Sequence, residues 1–426
     1  MSRLADLIAQ LCPDGVEYRA LGDVGVFVRG GGLQKADFVE AGMPCVHYGQ
    51  IHTRFGTSTT TAISSVSEAQ FARLKHAEYG DLLIATTSED DEAVGKATAW
   101  LGDGEVAISG DMFYYRHNLE PKYVSYFFAS SSFQEQKRPY LTGAKVRRIA
   151  DKGLSRIQIP VPPVEIQREI VRILDQFTTL EAELEAELEA RRTQYEHYRN
   201  HLLSMTALKQ RCGEIAVRKL GEVGVFYGGL TGKTKADFVD SPDASAFVTY
   251  KEIYSRIEIE RIPVGRVQVA DKEKQLTLQY GDVLFTGSSE NSEEVGMTAV
   301  VTSEFSERVY LNSFSICFRW SEELFDPGYA KHMFNSPEIR REIQRCASGV
   351  TRFNLSKKRM EKISVPVPPL EVQHEIMRVL DDFDALVNDI ASGLPAEIAA
   401  RRAQYDYYRD RLLSFPEKAV SRSDAS

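Results

Sequence analysis

The sequence predicts an α+β protein: two similar strand-rich domains separated by two long helices that pair as an antiparallel intramolecular coiled coil, with pseudo-two-fold symmetry. Three observations carry that expectation. A block of about 200 residues occurs twice in the 426-residue chain. In each copy, short apolar runs punctuated by glycine give way at a proline cluster to an apolar stripe with steps of three and four. The two stripes are nearly identical, and an amphipathic helix cannot hide its stripe alone, so each is the natural partner of the other, the alternative being that each helix packs back on its own domain.

The duplication is visible block by block. Arg19–Phe27 (RALGDVGVF) returns as Arg218–Phe226 (RKLGEVGVF), and the KADFV of Lys35–Val39 returns at Lys235–Val239. Tyr79–Leu83 (YGDLL) matches Tyr280–Leu284 (YGDVL). Ile157–Phe177 and Ile363–Phe383 are identical at 13 of 21 positions. Ala190–Leu203 (ARRTQYEHYRNHLL) returns as Ala400–Leu413 (ARRAQYDYYRDRLL). In the first copy, Val24–Val28, Leu82–Thr86, Ala97–Leu101, Val106–Ser109 and Met112–Arg116 read as strands, and Tyr123–Ser130 and Ser132–Lys137 as short helices. The second copy repeats the order with strands Val283–Thr286, Thr298–Thr302 and Ser313–Trp320 and helices Tyr329–Phe334 and Pro337–Cys346.

Pro162 and Pro163 suit a first helical turn, where no N–H is needed. Beyond them Ile166, Ile170, Ile173, Phe177, Leu180 and Leu184 form an a/d seam that continues, after a stutter at Leu188, through Tyr195, Tyr198, Leu202 and Met205. The second seam is Val372, Ile376, Val379, Phe383, Leu386 and Ile390, then Leu394, Ile398, Tyr405, Tyr408, Leu412 and Phe415. It carries about four extra residues that include Gly393 and Pro395, which predict a kink or break there and a straighter first helix. The expected boundaries are a first domain at 1–159, a helix at 160–206, a second domain at 207–365, a helix at 366–415 and a tail at 416–426.

Composition narrows the function classes. At 43% hydrophobic and 27% charged residues the chain folds rather than staying disordered. No apolar run is long enough to span a bilayer, and the N-terminus lacks a signal-peptide pattern. Five scattered cysteines without a CxxC pair suit a reducing cytoplasm. No catalytic constellation is recognisable. Gly228–Thr234 resembles a phosphate-binding loop but is one residue short, and its counterpart at Gly30–Lys35 lacks the motif. His197 and His201 are four apart without the glutamate of a zinc-protease helix.

The net charge of −9 argues against a general polyanion binder until it is resolved along the chain. Lys137–Gln158 holds seven basic residues against Asp151, and Arg340–Ile363 eight against Glu342 and Glu361, so each carries a net +6. The helices that follow are each about −6. Each basic segment contains a small-residue turn that can bring backbone N–H groups and hydroxyls to a phosphate while arginines reach base edges. The candidate DNA contacts are therefore Thr142, Gly143, Lys145, Arg147 and Arg148, with Ser348, Gly349, Thr351, Arg352, Asn354 and Lys357. Lys35, Lys233 and Lys235, at the repeated KADFV block, join them. The acidic loops at 88–92 and 289–294 are readable either as base contacts or as solvated segments that meet a basic partner.

Two variable domains, each introduced by Leu-Gly-(Asp/Glu)-Val, resemble the target-recognition domains of type I restriction–modification specificity subunits. The Tyr-Gly-Asp strands, the Ser/Thr-Gly turns and the Pro-Val-Pro-Pro-x-Glu-x-Gln helix openings at Pro160–Gln167 and Pro366–Gln373 are similar to the rest of that pattern. The resemblance spans essentially the whole chain. It implies a non-catalytic subunit that reads a split double-stranded DNA site and sets its spacer with the coiled coil. It further implies docking of two methyltransferase (M) subunits that bring S-adenosylmethionine, and restriction/translocase (R) subunits that bring ATP and Mg, with no cofactor on this chain. The alternatives are a duplicated adaptor that binds proteins and an enzyme such as a nuclease.

Overall fold

A computed structural model describes residues 3–241, 243–270, 272–389 and 391–418. The chain divides into two compact units. The first comprises residues through Glu185 together with those from Glu397 onward, and the second runs from Ala186 to Ala396.

The first unit is built on a five-stranded sheet in the order Gly25–Arg29, Met112–His117, Leu82–Ala85, Ala97–Trp100, Ser58–Thr59. Strand Leu82–Ala85 is buried on both faces, as a central strand should be. Leu82 and Ile84 enter a core with helices Pro121–Ala129 and Ser131–Lys137, whereas Leu83 and Ala85 enter a second core against another five-stranded sheet. The second unit repeats the plan, with Gly224–Gly228, Ser315–Trp320, Val283–Thr286, Thr298–Val301 and Glu258–Ile259 in the same order. Val283 and Phe285 face its helices, and Leu284 faces the opposite core. Within the two domains, every strand and short helix expected from the sequence is present within two residues of its expected limits. The elements Arg3–Leu11, Met43–Val46 and Lys75–Ala77 were not foreseen. Met205, expected at the end of the first helical seam, instead begins a separate helix, Met205–Cys212, capped by the Ser204 hydroxyl.

The repeated motifs have structural roles. Asp81 and Asp282 of the two Tyr-Gly-Asp turns are buried and each takes a two-point grip from an arginine: Arg116 at 3.1 and 2.8 Å, Arg319 at 2.7 and 2.6 Å. Gln167 donates to the Pro162 carbonyl at 2.7 Å and accepts from the Glu120 N–H at 2.9 Å, clipping the helix start to its own domain. Gln373 does the same with Pro368 at 2.8 Å and Asp326 at 2.9 Å. The glutamine of the helix-opening motif is thus a buried bridge.

The first long helix runs unbroken from Val164 to Leu202. The second is divided into Leu370–Asn388 and Leu394–Leu412, so the expected break is present, but it ends at Gly393, and Pro395 lies in the first turn of the second part, where no N–H is needed. Ile166, Ile170 and Leu174 are fully buried in the first unit's own core, and Ile376 and Leu380 in the second's. Within the first unit the later turns meet the C-terminal helix antiparallel: Phe177 stacks on Tyr408 with centroids 5.5 Å apart, and Arg402 pairs with Glu181 and Glu185. Tyr405 and Leu412 pack against the same core. The second unit mirrors this, with Tyr198 stacked on Phe383 at 5.2 Å and Tyr195 and Leu202 buried beside them. The helices thus pack both on a domain and on each other. That double duty corrects the seam. Leu180, Val379 and Leu386 are exposed, Leu184 is half-buried, and Val387 is buried in place of Leu386. Ile390 lies outside the described residues.

Candidate nucleic-acid interface

Each small-residue turn folds as a β-hairpin. In the first unit Thr142 and Arg148 exchange both backbone hydrogen bonds at 2.9 Å, enclosing residues 143–147. Gly143 opens the loop at φ +88°, where a Cβ would lie 2.1 Å from the Val146 carbonyl oxygen. In the second unit Ser348 pairs with Asn354 and encloses 349–353, with Gly349 at φ +143° in the same position. Thr142, Gly143, Lys145 and Arg148 are exposed or half-buried, as are Ser348, Gly349, Thr351, Arg352 and Asn354. Val350, at the tip of the second hairpin, is 92% exposed.

The hairpins are anchored on the strands that lead into the acidic loops. Arg147 and Arg148 pair with Ser88 and Thr87, and Phe353 and Asn354 pair with Ser289 and Ser288. This answers part of the ambiguity over the acidic loops, which lie beside basic groups of their own domain. Lys137 is buried and donates to the carbonyls of Glu92 at 2.8 Å and Val94 at 2.6 Å. Burial pushes its pKa down to about 8, with Asp90, Glu92 and Asp91 opposing the shift. Arg340 does the equivalent work on the carbonyls of Glu293, Val295 and Gly296, and burial lowers its pKa too. Neither Lys137 nor Arg340 belongs to a free basic surface, so the two +6 segments overstate the charge offered outward.

Arg147 is half-buried, and its guanidinium donates through Nε to Asp91 at 2.5 Å and through Nη1 to the Gly143 carbonyl at 2.5 Å. Lys145 and Arg148 have no side-chain hydrogen bond or ion pair among the described residues, which leaves both charges open. Arg352 donates to Ser288 Oγ at 3.2 Å and lies 6.0 Å from the ring centre of Phe314, which is 65% exposed. Asp91 belongs to the acidic loop at 88–92 that the sequence singles out, and its basic partner is Arg147. Phe314 was not foreseen, although an aromatic in the otherwise polar turn Asn312–Ser315 was the available signal.

The remaining candidates are dispersed. Lys35 and Lys235 are exposed at the first position of matching 3₁₀ turns, Lys35–Asp37 and Lys235–Asp237, and share no hydrogen bond or ion pair with the hairpins among the described residues. Lys357 opens the short helix Lys357–Met360. Lys233 differs from expectation. Its side chain is 4% exposed, with Nζ on the Gln268 carbonyl at 2.6 Å and on Glu273, so its charge is spent inside the unit. Lys233 in turn holds the Glu273 carboxyl well below the usual carboxylate range, at about 2. The glycine turn before it is closed by Gln275, which binds both the N–H and the carbonyl of Thr231.

Comparison with known proteins places this arrangement. The family profile of the type I restriction modification DNA specificity domain matches residues 13–190 and again 213–400. The chain is 32% identical over 316 residues to the type I restriction enzyme EcoR124I/EcoR124II specificity subunit of Escherichia coli, covering 70% of this chain and 71% of that protein. A chain from a structural study of complex assembly and conformational transition in a type I R-M system superposes with TM-score 0.62 at 18% identity, covering 95% of this chain and 98% of that one. The S subunit of a type I restriction-modification system from M. genitalium gives TM-score 0.50 at 13% identity, covering 94% and 96%. Both likenesses support the fold. Two domain matches, which together span most of the sequence, show that the chain belongs to the type I restriction–modification specificity subunits.

Proposed function

We propose that this chain reads a bipartite double-stranded DNA site, each unit contacting one half through its hairpin and the loop strand beside it, and that it carries no catalytic residue. The observation that supports this most is that the same hairpin, with glycine at the same position and paired to the same loop strand, is built once in each unit. In this reading Lys145 and Arg148 bind phosphates, and the backbone and hydroxyls of Thr142, Gly143, Ser348, Gly349 and Thr351 set the register, while Arg147, Arg352 and Asn354 face bases. The helical pairs would dock two methyltransferase subunits supplying S-adenosylmethionine, with restriction/translocase subunits adding ATP- and Mg-dependent steps. Such a role belongs in the cytoplasm, and no helix among the described residues is long and apolar enough to cross a membrane.

The test is salt-dependent DNA binding by the chain assembled with its methyltransferase subunits. Removing one phosphate-binding side chain reduces the slope of log affinity against log salt by about 1. Lys145→Ala with Arg148→Ala is expected to flatten the slope by up to about 2 and to weaken binding through one half-site. An unchanged slope would remove these residues from the interface. Failure of the wild-type assembly to bind DNA, with intact protein partners, would favour a protein adaptor.

A further inference from the structure

We propose that Arg147 reads a guanine in the half-site of the first unit and that Asp91, on the acidic loop, is the residue that positions it. The inference rests on the DNA-reading role above and gives the first acidic loop a function.

The geometry supplies the argument. A guanidinium has five N–H donors in a fixed plane. Three are engaged: Nε with Asp91 Oδ1 at 2.5 Å, Nη2 with Asp91 Oδ2 at 3.5 Å, and Nη1 with the Gly143 carbonyl at 2.5 Å. One N–H remains on each terminal nitrogen, and the Arg147 side chain is 27% exposed. The end-on fork of a guanidinium, one N–H from each terminal nitrogen, matches the O6 and N7 acceptors of guanine in the major groove. The pair adds little to folding, because both partners reach solvent and such exposed pairs are weak. What it does is hold a long side chain in one orientation before binding, so that less rotamer freedom is lost on docking.

The same carboxylate decides between base and phosphate. Asp91 is 57% exposed beside the guanidinium, and a phosphate brought there would meet its negative charge. A neutral base edge meets no such penalty. Lys145 and Arg148 lack a carboxylate partner among the described residues and suit the backbone. The second unit is not equivalent. Phe353 pairs with Ser289 where Arg147 pairs with Ser88, and Arg352 lies over Phe314 with a hydroxyl partner and no carboxylate. The guanine assignment therefore applies to one half of the site.

The test maps every methylated adenine in cells that carry this chain with its methyltransferase subunits. Arg147→Lys keeps the charge and loses the planar fork, and Asp91→Asn keeps the shape and loses the anchor. Both are expected to relax the same single guanine position in one half of the motif, by tenfold or more in preference, and to leave the other half unchanged. The double variant is expected to be no more relaxed than Arg147→Lys alone. Melting temperatures within a degree or so of wild type would show that the change is not a folding defect. Relaxation at different positions, an unchanged motif, or loss of thermal stability with base preference intact would each overturn the proposal and leave the pair as a structural clip. If the wild-type assembly methylates no defined bipartite motif, the DNA-reading role itself fails.

Discussion

His117 closes the strand Met112–His117 with its ring packed 5.0 Å from that of Tyr115. Nδ1 accepts from the Leu119 N–H at 3.2 Å, and Nε2 is buried with no partner among the described residues. Burial pushes its pKa down to about 4, only partly offset by Asp81. The folded ring therefore stays neutral where the unfolded ring, with an ordinary pKa of about 6.5, takes up a proton. Between those values the unfolded state binds more protons, so stability is present above about pH 6.5 and is lost as pH falls towards about 4. The loss is on the order of 3 kcal/mol at most. The chain has two tryptophans, Trp100 and Trp320. In a Trp320→Phe background, fluorescence follows Trp100 in the first unit. The urea midpoint there should fall from about pH 6.5 to about pH 4, and His117→Gln should flatten that fall. Parallel pH profiles for the two proteins would show that His117 does not govern acid sensitivity.

At the scale of elements, the first hairpin depends on one glycine. Gly143→Ala would require a left-handed backbone and place a methyl against the Val146 carbonyl, at a cost of about 1–3 kcal/mol. The expected outcome is local. Amide exchange at Arg148, which donates to the Thr142 carbonyl, should accelerate, while the central strand Leu82–Ala85 keeps its protection. DNA affinity through one half-site should drop with it. Unaltered exchange at Arg148 would mean the hairpin tolerates the change. The turns themselves were legible, because Thr-Gly and Ser-Gly stand at equivalent places in two copies. Their partner strands were not, since Ser88 and Arg147 are far apart in sequence and share no pattern that announces the pairing. Charge counting failed for a related reason. Lys137, Lys233 and Arg340 satisfy carbonyls and a carboxylate inside their units, and only tertiary structure separates a spent cation from an open one. The seam was legible up to the point where a helix must serve two neighbours. Heptad spacing names the apolar positions, but it does not say that Ile166 and Ile170 go to the domain core while Phe177 meets Tyr408.

For the whole molecule, the chain passes between its compact units twice, at Glu185–Ala186 and at Ala396–Glu397, and both passages lie inside helices. Each unit takes the first part of its own long helix and the last part of the other, so the helical segments are the route by which length can be transmitted. The first passage is in the unbroken helix Val164–Leu202. The second lies in the first turn of Leu394–Leu412, just after the break that separates it from Leu370–Asn388. Four helix-forming residues inserted after Glu185 add about 6 Å and slightly more than one full turn, so facing is nearly preserved while length grows. At about 3.4 Å per base step, that corresponds to about two base pairs. If the helical segments set the unread gap of a bipartite site, mapping methylated adenines should show both half-sites intact and their separation longer by about two base pairs. The same four residues inserted in the exposed turn at Asp103–Gly104 should leave the separation unchanged. A spacer that ignores the helical insertion would rule out the helices as the ruler while leaving the proposed base-reading role of each unit open, because the hairpins assigned that role are remote in sequence from the inserted turn.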